Sequence, residues 1–155
     1  MNATTTATPI RLDPTLETPL RKVRRVFRRD EFAPKAARNF TADFLATHHI
    51  DGDTIDTARL LISETVTNAV CYANRGDITV TIEVDDKQIK LTVTDAGRAS
   101  AAAGIAACEH GDDEEHGRGW ELITALSADC GIERIGGGNG NRVSFVLDRD
   151  AGGAA

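Results

Sequence analysis

Ile78-Thr79-Val80-Thr81-Ile82-Glu83-Val84-Asp85-Asp86-Lys87-Gln88-Ile89-Lys90-Leu91-Thr92-Val93-Thr94-Asp95-Ala96-Gly97 is the stretch that decides the fold. Ile78, Val80, Ile82 and Val84 alternate with Thr79, Thr81 and Glu83. Ile89, Leu91 and Val93 alternate with Lys90, Thr92 and Thr94. An apolar row and a polar row at period two make a strand with one covered face. Asp85-Asp86-Lys87 between the two runs joins them as a hairpin. Two more strands are expected downstream, about Asp129–Ile135 and 142–147, connected through 136–141. Upstream, Arg21-Lys22-Val23-Arg24-Arg25-Val26-Phe27-Arg28-Arg29 reads as an edge strand, where positive charge deters unwanted pairing. A surface for nucleic acid or an acidic partner is the sharper reading of the same run.

Helical patterns surround the strands. Pro34 suits a first helical turn. The helix it opens runs to about His48, with Ala37, Phe40, Phe44 and Leu45 on its covered side. His48 and His49 end it, where a partial positive charge meets the helix dipole favourably. No acidic or cysteine partner stands at ligand spacing, so metal binding by the pair is the weaker reading. Asp51-Gly52-Asp53 is a turn, and Asp53 or Thr54 can cap a longer helix that runs to about Tyr72. Ile55, Ala58, Ile62, Val66, Ala69 and Ala73 form one apolar stripe along it. Glu64 and Asn68, one turn apart, fall on the other side beside Leu60 and Leu61. A helix that is apolar on both sides is largely covered, so this polar pair is expected in a partly enclosed place. It is either an incidental Glu with an interior Asn bonded to a loop, or the edge of a site.

After Gly97 comes a segment of small and acidic residues, 98–116. A connection of that length is uncommon in a compact domain unless it is functional. His110 and His116 bracket Asp112, Asp113, Glu114 and Glu115, a pattern that fits a solvated acidic loop better than a metal site. Gly117-Arg118-Gly119 then opens a helix with Trp120, Leu122, Ile123 and Leu126 at helical spacing. Backbone N–H groups at such a start can hold phosphate, although a Gly-x-Gly is often only a turn. G-x-x-x-x-G-K-[ST] is absent, and so is G-x-G-x-x-G after a strand.

Composition sets the outer limits. The chain has 155 residues, 41% hydrophobic, with a net charge of −6. That length suits one domain with its own core. We divide it into a flexible arm (1–20), a folded domain (21–148) and a flexible tail (149–155). The acidic balance argues against broad nucleic-acid binding. No apolar run reaches membrane-spanning length, and 1–8 lacks a charged start followed by an apolar block, so a cytoplasmic protein is expected. Cys71, Cys108 and Cys130 are odd in number and far apart, which fits reduced thiols. Strands joined directly make a mixed, mainly antiparallel sheet, and the helices must cover one face of it. The fold class is therefore α+β, a two-layer α/β sandwich.

Taken together, three pieces resemble the GHKL ATPase superfamily and its Bergerat nucleotide-binding fold. Glu64-x-x-x-Asn68-Ala69 is similar to the family's N box, Asp95-x-Gly97 to its first glycine box, and Gly117-Arg118-Gly119-Trp120-x-Leu122-Ile123 to its second. The resemblance is closest to the small bacterial anti-sigma-factor serine/threonine kinases and runs from about residue 23 to 147. It implies ATP and magnesium as cofactors. It implies that Asn68 binds the metal and that Glu64 activates an acceptor hydroxyl or orients water. Asp95 would accept a hydrogen bond from the adenine amino group, with Gly97 close to the base. Gly117 and Gly119 would let backbone amides approach the phosphates, Arg118 would lend positive charge, Trp120 would also belong to the nucleotide site, and the 98–116 loop would be a lid. The implied activity is phosphorylation of an anti-sigma antagonist together with sequestration of a sigma factor. An ATP-binding interaction module without productive phosphotransfer is the competing reading, with the basic strand as its contact surface, including a homodimer. The chain departs from the family at Arg98-Ala99-Ser100, which lack a second glycine, at Tyr72 where His is common, at Trp120 where Leu is usual, and at Gly140-Asn141-Arg142, where Gly followed by Lys or Thr is frequent.

Overall fold

The apolar row of the hairpin becomes the floor of the core. A computed structural model of the chain describes residues 20–73, 75–97, 118–138 and 140–149. In chain order its elements are β1 (Arg21–Phe27), α1 (Ala33–Thr47), α2 (Gly52–Tyr72), β2 (Ile78–Val84), β3 (Gln88–Asp95), α3 (Arg118–Leu126), β4 (Asp129–Ile135) and β5 (Gly140–Asp148). The five strands lie in the order β1-β2-β3-β5-β4. All four neighbouring pairs are antiparallel. The expected arm, tail, acidic loop and Gly117 fall outside the described residues, apart from Leu20 and Arg149 at their margins.

Ile78, Val80, Ile82 and Val84 of β2, Ile89, Leu91 and Val93 of β3, and Val143, Phe145 and Leu147 of β5 are all buried. They share one face because side chains alternate along each strand and the registers align them. The helices cover that face. The stripe on α2 meets it through Ala58, Ile62, Val66, Ala69 and Ala73, all buried. Leu61, Thr65 and Asn68 of the same helix are buried as well, but Leu60 is exposed and Glu64 only half-buried, so the cover expected beside the polar pair reaches Leu61 and Asn68 alone. Packing α1 against α2 covers Ala37, Thr41 and Leu45. Each fully buried Leu, Ile or Phe is worth about 1.5–3 kcal/mol of transfer free energy. The exposed Arg142–Glu133 pair, at 3.0 Å, belongs to a class worth about 0–1 kcal/mol. The core therefore decides stability.

The basic run does lie at the sheet edge, as β1, which pairs only with β2. Arg21, Lys22, Arg24 and Arg25 are exposed. The Arg25 guanidinium lies 5.4 Å from the Phe27 ring centroid and 5.6 Å from that of Phe40, so part of the charge is spent on cation–π contact.

Two local expectations need correction. The cap of α2 is Asp51, with extended backbone, rather than Asp53 or Thr54. Thr54 takes part from inside, its hydroxyl donating to Asp51 Oδ2 at 3.1 Å. At the end of α1, the surroundings of His48 work against the positive charge that the helix dipole would favour. Desolvation by burial lowers its pKa from 6.5, and the positive charges of Arg21, Arg149 and His49 lower it further. Its ring packs on Phe44 with centroids 4.5 Å apart.

This has a pH consequence. The folded-state pKa of His48 lies below its unfolded value, so the unfolded chain binds more protons as pH falls through about 6.5. Stability contributed by the neutral ring is present above that pH and lost on acidification. Urea midpoints measured between pH 7 and pH 5 should fall, and His48→Gln should flatten the fall.

Candidate functional site

Asp95 and Asn141 stand directly opposite each other in the β3–β5 ladder. Each continues the inward row of its strand: Ile89, Leu91, Val93, then Asp95; Leu147, Phe145, Val143, then Asn141. At this end of the sheet the apolar residues stop, and a carboxylate and a carboxamide take the next inward positions. Both are buried, Asp95 at 5% exposure and Asn141 at 0%. Burial of that kind requires hydrogen bonds. Asn141 Nδ2 donates to Asp95 Oδ1 at 3.3 Å and to the Gly97 carbonyl oxygen at 2.9 Å. The Gly97 N–H donates to the same Asp95 oxygen at 2.8 Å. Both neighbours of Nδ2 are acceptors, so the amide can present only its nitrogen there.

Two glycines let the chain close around this corner. A Cβ on Gly140 would stand 2.8 Å from the Asp95 carbonyl oxygen and 2.9 Å from an Ile135 side-chain carbon. One on Gly76 would stand 2.8 Å from the Ala96 Cβ, and Gly76 also has a φ of +78°, which favours glycine. Arg75 Nε donates to the Ala96 carbonyl at 3.3 Å, tying the end of α2 to the residue after Asp95.

Asn68 approaches from α2, 8% exposed. With Asp95, Val93 and Val143 from the sheet and Trp120 and Ile123 from α3, it lines one small cavity. The cavity measures about 10 Å³, about one water molecule. A cavity of that size does not hold a planar ring, and Trp120 and Ile123 form its wall on the α3 side. Chemically the lining offers a carboxylate that only accepts hydrogen bonds when ionised, a carboxamide oxygen suited to a hard cation, and apolar walls. Among the described residues no group of three or more His, Cys, Asp or Glu is placed to hold a metal.

The sequence-derived candidates thus divide. Asn68, Asp95 and Trp120 meet at one cavity, and Gly97 closes the turn beside it. Glu64 is half-buried one turn before Asn68 and does not line the cavity. Arg118 and Gly119 begin α3, while Gly117 lies outside the described residues. Asn141 was noted only as a departure from a familiar pattern. Its period-two position, in line with Val143, Phe145 and Leu147, was the signal that it points inward.

A family model described as a histidine kinase-like ATPase domain matches residues 19–147. No curated protein matches the chain. The matched span includes Glu64, Asn68, Asp95, Trp120 and Asn141.

Two measurements check this geometry. Gly140→Ala forces its new methyl against backbone that cannot yield, and should cost about 1–3 kcal/mol in a denaturation experiment. Trp120 is the one tryptophan in the chain. It lines the cavity with Asn68 and Asp95, so its emission should shift when ATP is titrated in, and unchanged emission at saturating ATP would place the nucleotide away from this wall.

Proposed function

The chain belongs to the histidine kinase-like ATPase family, a GHKL-type ATP-binding domain, and from that premise we propose that it is an anti-sigma-factor type protein serine/threonine kinase. It phosphorylates an anti-sigma antagonist on Ser or Thr and sequesters a sigma factor. The observation that supports this reading is the convergence of Asn68, Asp95 and Trp120, from three separate elements, on one cavity at the end of the sheet.

Each residue has a role that its placement allows. Asp95 accepts the adenine amino group, since its position at the end of the inward row faces the helices. Asn68 offers its carboxamide oxygen to magnesium, which prefers oxygen and needs few protein ligands beside phosphates. When bound, magnesium neutralises charge on the transferring phosphoryl group. The backbone N–H groups at the start of α3, where Gly119 stands, hold phosphate oxygens, and Arg118 adds positive charge. Glu64, a turn from Asn68, takes the proton of the acceptor hydroxyl. The hydroxyl oxygen bonds to the terminal phosphorus in line as the bond to the ADP oxygen breaks. The cytoplasm is the proposed setting. No described helix is long and apolar enough to cross a membrane.

The position of Glu64 outside the cavity lining favours a second reading, an ATP-binding interaction module without productive transfer. In that case the basic edge of β1 is the contact surface for a partner or a second copy.

Titration calorimetry and labelled-phosphate transfer separate these outcomes. Wild-type protein should bind ATP with magnesium; Asp95→Asn should lose binding, and Asn68→Ala should weaken the magnesium-dependent part. Glu64→Ala should keep binding and lower transfer by about 10²–10⁴. Equal transfer in wild type and Glu64→Ala would remove the kinase mechanism, and a wild type that binds no nucleotide would remove both readings.

A further inference from the structure

We propose that Asn141 is the residue that sets base choice, by fixing the carboxylate of Asp95. The inference rests on the nucleotide-binding reading above and adds a residue to it. An Asp carboxylate turns easily about its last torsion, which has broad minima. Here one oxygen is held from two directions, by Asn141 Nδ2 at 3.3 Å and by the Gly97 N–H at 2.8 Å. The same Asn141 nitrogen holds the Gly97 carbonyl at 2.9 Å. One buried side chain thus binds both the carboxylate and the turn that follows it. Fixing one oxygen fixes the plane of the group.

A fixed carboxylate discriminates by what it cannot do. It accepts from the amino group at the 6-position of adenine. It faces the oxygen at the same position of guanine with no proton between them. A site built around a buried hydrogen bond rejects the ligand that cannot make it far more strongly than an apolar pocket rejects a misfit. That rejection lasts only while the carboxylate cannot turn aside. Asn141 therefore acts as a positioning residue, working through Asp95 and not by its own contact with the base.

The test compares binding of ATP, GTP and inorganic tripolyphosphate to the full chain, with folding checked by thermal melting. Wild type should prefer ATP over GTP. Asn141→Ala removes both bonds and should reduce the ATP:GTP affinity ratio about tenfold, the equivalent of one such interaction. Asn141→Asp keeps the shape, replaces the donor with an acceptor, and should reduce the ratio in the same way. Tripolyphosphate binding should be unchanged in both. An unaltered ratio in the folded variants would overturn the proposal, as would an equal loss for all three ligands, the mark of a purely structural role. A wild type indifferent to the base would also overturn it. A wild type that binds no nucleotide at all would instead remove the reading on which it rests.

Discussion

A sheet covered on one face can present polar groups to its helices only where the apolar row ends, and that constraint places the site. The inward row of β3 is apolar from Ile89 to Val93 and then meets Asp95. The inward row of β5, read backward, is apolar from Leu147 to Val143 and then meets Asn141. Antiparallel pairing brings the two ends together. A one-residue slip of β3 would turn Asp95 to the other face of the sheet and take Val93 out of the core, and a slip of β5 would do the same to Asn141 and Val143. The burial energy that fixes the register of the core thus also fixes the geometry of the corner.

The second support is the double burial of α2. A helix covered on one side can roll or slide at modest cost. With Ile62 and Val66 packed on the sheet side and Leu61 and Thr65 also buried, α2 has little freedom to do either. Asn68 inherits that rigidity, and Glu64, one turn away and less covered, inherits less. By contrast α3, which brings Trp120, contacts α2 and β4 and is the shortest of the three described helices. The site joins two well-held walls to a more lightly held one.

What was legible in the chain follows the reach of each signal. Ile78–Val84 and the row through Ile89, Leu91 and Val93 alternate so cleanly that the hairpin and its covered face could be read directly. The α2 stripe was legible for the same reason, since burial acts on every third or fourth residue. Asp51 escaped because Asp, Gly, Asp and Thr in succession offer several competing caps, and only the backbone angles choose among them. The lowered pKa of His48 was not legible because it is set first by burial and then by Arg21 and Arg149, far away in the chain. The placing of β5 between β3 and β4 is a fact about pairing, and no local pattern carries it. Asn68 and Asp95 were found through a resemblance. Asn141 lay in plain view on an inward row and needed the cross-strand pairing to show its partner.

The strand order has a consequence for how such a chain is made. β4 is synthesised before β5, yet its only partner in the sheet is β5. Until β5 emerges, β4 has no ladder to join, and β3 has one edge bare. The Asp95–Asn141 bond spans 46 positions of sequence, so closing it demands a long-range contact late in assembly. A ribosome that has produced the first hairpin and the three described helices has therefore not yet produced the closed corner of the sheet. A nascent chain arrested short of β5 would lack Asn141 and leave Asp95 and the Gly97 turn without the side chain that ties them together, however well its earlier elements had formed.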